Sequence, residues 1–76
     1  MYKVIFKFEG ADTIIGCSSD DTMRQICNKF AKMINIDIDD IYFLYNSYYI
    51  DKEFELKIEE FINKDDKIRK EMNILV

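Results

Sequence analysis

Between Thr22 and Asn35 the apolar residues Met23, Ile26, Cys27, Phe30, Met33 and Ile34 recur at steps of three and four. That spacing gathers side chains along one side of an α-helix. Arg24, Asn28, Lys29 and Lys32 fall on the other side. Thr22 followed by Gln25 has the form of a capping box, in which side chain and backbone at the helix start satisfy each other. Asp20 and Asp21 put negative charge where the helix dipole favours it. A helix with one apolar stripe needs a cover, because each large side chain it buries contributes roughly 1.5–3 kcal/mol. The flanking segments run at a period of two, so the predicted cover is a sheet.

Residues 2–8 alternate, with Val4, Phe6 and Phe8 on one face and Lys3, Ile5 and Lys7 on the other. Glu9-Gly10-Ala11-Asp12 reads as a turn, Gly10 supplying the positive φ of a tight hairpin. A second strand over residues 13–17 points Ile15 and Cys17 inward. After the helix, Ile36-Asp37-Ile38-Asp39-Asp40 is a loop with two apolar anchors. A third strand runs over residues 41–45, with Ile41, Phe43 and Tyr45 on one face and Tyr42 and Leu44 on the other. Asn46-Ser47 turns into a short fourth strand, Tyr48-Tyr49-Ile50.

Residues 51–71 have no clear period. Phe54, Leu56, Ile58, Phe61 and Ile62 read as a short helical turn or an irregular inward-packing loop, and residues 63–67 as polar and exposed. Residues 72–76 close the chain as a strand with Met72, Ile74 and Val76 inward. The predicted class is α+β: a mixed four- to five-stranded sheet covered by one α-helix. Its first and last strands lie parallel at the sheet centre, the β-grasp architecture.

At 76 residues there is room for a single domain, 1–76. Such a chain has a thin core margin, met here by regular packing of 49% hydrophobic residues, among them six phenylalanines and five tyrosines. With no histidine and two cysteines, Cys17 and Cys27, neither a metal nor a disulfide framework is expected. A net charge of −4 argues against a nucleic-acid partner, since phosphate binding needs clustered Lys and Arg. No apolar run spans a bilayer, and Lys3, Lys7 and Glu9 break any signal peptide, so the expected location is intracellular, cytoplasmic or nuclear. The acids concentrate at Asp37, Asp39, Asp40, Asp51, Glu53, Glu55, Glu59 and Glu60, against Lys52 and Lys57. This is a solvated rim or a face for a basic partner.

In this order the chain resembles ubiquitin and its relatives. The resemblance covers nearly the whole sequence: the hairpin with Gly10, the helix entry Asp21-Thr22-Met23, and the helix core Ile26, Phe30 and Ile34. It continues through Ile36, Phe43-Leu44-Tyr45, Ile50, Leu56 and the final strand. It implies the β-grasp fold and work by protein binding. Covalent modifiers of the family end in a flexible Gly-Gly tail, whereas this sequence stops at Val76 with glycines only at positions 10 and 16. The expectation is therefore a non-conjugatable interaction module excised from a longer protein. The alternative is a modifier whose tail lies beyond Val76. A third reading, an acidic scaffold of the PB1 kind, lacks its acidic cluster because Asn46-Ser47-Tyr48 occupies that place.

No catalytic set is present. There is no histidine and no Gly-rich phosphate loop, and Cys27 sits on the apolar stripe, where cysteine is an inert hydrophobe. Asp37, Asp39 and Asp40 lack the glycine and the spacing of a calcium loop. No enzyme, metal or cofactor is expected. The candidate binding residues are Tyr42, Leu44, Tyr48 and Leu75 on the outer face of the sheet. The resemblance sharpens this, since Leu44 stands where ubiquitin carries the central residue of its hydrophobic recognition patch. A partner helix or loop would dock there, on an aliphatic centre ringed by tyrosines. Ile5 and Ile14 form a secondary patch on the first hairpin. The sequence is silent on the partner's identity and on self-association.

Overall fold

The strands β1 (Tyr2–Phe8) and β2 (Ala11–Cys17) form an antiparallel hairpin in the computed structural model, which describes residues 1–76. Their register runs from Tyr2 opposite Cys17 to Phe8 opposite Ala11. The turn is two residues, Glu9 and Gly10, both at positive φ (50° and 79°). That is the hairpin geometry whose twist matches the strands. It lets β2 begin two residues earlier than alternation alone predicts.

Helix α1 (Met23–Met33) starts as expected. The Gln25 N–H donates to Thr22 Oγ1 at 3.2 Å, and the Thr22 N–H donates to Gln25 Oε1 at 2.9 Å, an arrangement worth about 1 kcal/mol. Asn35, left-handed at φ 57°, closes the helix, and the Ile36 N–H returns to the Ala31 carbonyl at 3.0 Å. Met23, Ile26, Cys27 and Phe30 are buried, but Met33 is exposed and Ala31 is buried instead. Met33 lies about a quarter-turn off the line through Met23, Phe30 and Ile34 and is left exposed in the last turn of the helix.

The sheet has five strands in the order β2-β1-β5-β3-β4, with β3 Leu44–Tyr45, β4 Tyr48–Tyr49 and β5 Glu71–Leu75. The first and last strands lie side by side and parallel, Lys3 opposite Glu71 through to Lys7 opposite Leu75. Every other pairing is antiparallel, so the sheet is mixed. The third strand is shorter than its alternation implies: its ladder starts at Leu44, opposite Leu75, the last residue of β5. Asn46 and Ser47 form the turn to β4, again with both φ values positive (53° and 66°).

Between sheet and helix the core is aromatic. The Phe6 and Phe30 rings stack at 4.5 Å between centroids, and Phe43 meets them edge-on at 5.9 and 6.2 Å. Met72 and Ile74 of β5 and Val4 of β1 complete the layer without exposure.

Residues 51–71 are more ordered than their sequence implies. A 3₁₀ turn (Lys52–Glu55) and the single-turn helix α2 (Ile58–Phe61) bring Ile58 and Ile62 into the core. The stretch clips onto the start of α1: Met23 N–H donates to the Leu56 carbonyl at 2.9 Å, and Ile58 N–H to the Asp21 carbonyl at 2.8 Å. Residues 63–67, expected to be polar and exposed, instead begin helix α3 (Lys64–Arg69), and Asp66 is buried. Its carboxylate accepts the Tyr45 hydroxyl at 2.5 Å and pairs with Arg69. The Asn63 N–H in turn donates to Tyr45 Oη at 3.2 Å, and Asn63 Oδ1 caps the Asp66 N–H at 2.8 Å. A buried carboxylate tolerates its position only with such partners.

Candidate functional site

The face of the sheet turned away from α1 is open. The strand register lays one row across all five strands: Asp12, Lys7, Leu75, Leu44 and Tyr49, each opposite the next. A second row holds Ile14, Ile5 and Asn73. Paired residues on neighbouring strands share a face, so the two patches expected separately belong to one surface, with Asn73 between them. Leu75 and Ile14 are exposed, while Leu44 and Ile5 are half-buried by their neighbours. Lys7 sits beside Leu75 and reaches Asp12 at 3.4 Å.

One expected member stands elsewhere. Tyr48 is opposite Tyr45, whose side chain is buried beneath the sheet, so Tyr48 projects to the α1 side. There its hydroxyl donates to Glu53 Oε2 at 2.9 Å. That bond raises the Tyr48 hydroxyl above its usual pKa. Glu53 is lowered in return, first by the Asp51 N–H and also by the tyrosine. Tyr49 takes the vacant place opposite Leu44, and its ring meets exposed Tyr42 edge-on at 5.7 Å. The signal was in the sequence: counting back across a two-residue Asn46-Ser47 turn pairs Tyr48 with Tyr45 and Tyr49 with Leu44.

Around the β4 edge, Tyr42 and Tyr49 also line a groove of about 650 Å³ with Ile38, Ile41 and Phe54. Its rim carries Asp39 and Asp51, and Arg24. The arginine is committed, its Nε 2.7 Å from Glu55 Oε1 and its guanidinium 5.2 Å above the Phe54 ring.

Both thiols are free and buried. Burial pushes Cys27 up to about 12 and raises Cys17, the latter helped by the charge of Asp21. A thiol held protonated is a poor nucleophile. Neither cysteine should react with a disulfide reagent at pH 8 until denaturant is added; stoichiometric labelling of the native protein would contradict their burial. No group of three or more His, Cys, Asp or Glu is arranged to hold a metal ion, and no helix is long and apolar enough to cross a membrane.

No protein-family profile matches the sequence, and no curated protein matches it. Solved structures do. A chain in the crystal structure of ATBAG1 in complex with HSP70 superposes with a TM-score of 0.75 at 12% identity. The match covers 99% of this chain and 38% of that one, so the chain spans well under half of its neighbour's length. At such identity the likeness is one of fold. Forty chains of solved structures match, and a fold so widely used does not select a function.

Proposed function

We propose that the chain is a ubiquitin-like β-grasp domain acting as a non-catalytic protein-interaction module, which binds a partner helix or loop on its open sheet face. The observation that carries this reading is the row Leu75, Leu44 and Tyr49 across three adjacent strands, with Tyr42 against Tyr49. Aliphatic and tyrosine side chains set side by side on a rigid sheet are the composition of an interface core, where a few residues carry most of the affinity. The parallel pairing of first and last strands beneath a single covering helix supports the β-grasp assignment. The fold also occurs in a structure that is itself a protein–protein complex, ATBAG1 with HSP70. Two unpaired thiols fit a reducing, intracellular compartment.

The test is quantitative binding to a captured partner by wild type and Leu44→Ala. The variant should retain the wild-type circular dichroism spectrum and lose about tenfold in affinity, roughly 1.4 kcal/mol. Unchanged affinity removes the open face from the reading. The size of the native gene product separates the module from a modifier: conjugate ladders above a free band would replace the module by a tailed modifier.

A further inference from the structure

The groove at the β4 edge adjoins the open face, sharing Tyr42 and Tyr49 with it, but its floor and its other walls lie off that face and are not needed for the reading above. Buried Phe43 and Ile50 floor it, and the partly exposed Ile38, Ile41 and Phe54 wall it together with the two tyrosines. Its volume of about 650 Å³ accommodates large side chains. No buried side-chain nitrogen or oxygen is left without a partner, so no unsatisfied buried polar atom aims into the groove to orient a small molecule. The unpaired charge on the groove's rim is of one sign. Asp39 and Asp51 stand free on its rim, within a segment from Asp37 to Glu60 that holds eight carboxylates and two lysines. Lys57 is drawn toward Asp20 at 3.5 Å, and Arg24 is neutralised by Glu55. A second copy of this chain, itself at −4, would bring like charge to the rim.

We infer that this groove docks a basic segment of another protein, seating one of its aliphatic or aromatic side chains between Ile41 and Phe54 while lysines or arginines face Asp39 and Asp51. The carboxylates set orientation and encounter rate, and the apolar walls hold the anchor.

The experiment titrates the isotope-labelled chain with two short synthetic peptides that share a Trp-Leu anchor, one flanked by lysines and the other by glutamates. The lysine peptide should shift the amides of Asp39, Ile41, Tyr42 and Asp51, leave those of Ile14 and Ile5 in place, and weaken as salt rises. The Asp39→Lys, Asp51→Lys double variant, altered only at exposed positions, should bind it at least about tenfold more weakly. Leu75→Asp should bind it as wild type does, which separates failure of the groove from failure of the open face. Equal binding of the glutamate peptide, shifts centred on Ile14, Ile5 and Leu75, or no shift with the lysine peptide overturns the inference. So do shifts that depend on protein concentration alone, since they mark self-association.

Discussion

Phe30→Ala is expected to remove about 3–5 kcal/mol of folding stability, read from urea denaturation followed by far-ultraviolet circular dichroism. Phe30 is fully buried, stacked on Phe6 and touched edge-on by both Phe8 and Phe43. Truncation leaves a cavity between sheet and helix that neither rigid element can close, so a cavity cost adds to the lost transfer energy. Domains of this length have a total stability of about 4–11 kcal/mol, from roughly 0.05–0.15 kcal/mol per residue. The variant should therefore show a much lower urea midpoint or no folded baseline. A loss under about 1 kcal/mol would mean that the ring does not sit in the aromatic stack.

The second large effect is expected at the network that holds α3. Asp66→Ala strips the Tyr45 hydroxyl of its acceptor in a buried place and releases Arg69, which should cost about 1–3 kcal/mol. Tyr45→Phe removes the other end of the same bond and leaves the Asn63 N–H unpaired. Because both act on one network, the double variant should depart from additivity by more than about 0.5 kcal/mol. Additive losses would show that the two side chains act independently. The same bond has a pH signature. Burial, reinforced by the hydrogen bond to Asp66, raises the Tyr45 hydroxyl from 10.0 to about 12. The unfolded chain gives up this proton first, so the contribution is complete below pH 10 and is lost as pH rises toward about 12. Tyr45→Phe should flatten that alkaline decline, while an unchanged slope would assign it to other groups such as Cys27.

The legible parts of the molecule are those with a strong local period. The capping pair Thr22 and Gln25, the stripe Met23, Ile26, Cys27 and Phe30, and the inward set Met72 and Ile74 need no knowledge of distant neighbours. Leu44 and Leu75 were placed together from alternation plus the order of elements, and the register sets them opposite each other. The errors fall where local signal is weak. Met33 fits a helical stripe by spacing, yet it is the last residue of α1 and is exposed, where the stripe no longer fixes which side is covered. Asp66 belongs to a segment whose charges resemble solvated loop, and its burial depends on a tyrosine 21 residues away.

The sequence by itself determined the helix, the N-terminal hairpin, the closing strand and the faces of the longer strands. Periodicity over five or more residues leaves one arrangement that buries the apolar side. Only the tertiary structure decided the course of residues 51–71 and the burial of Asp66, whereas the choice of Tyr49 over Tyr48 on the open face follows once Asn46-Ser47 is counted as a two-residue turn. A two-residue strand or a six-residue helix has too few positions to set its own orientation, so its facing is dictated by the residues it pairs with. Those partners are Leu44 and Tyr45 for the two tyrosines and Tyr45 again for Asp66.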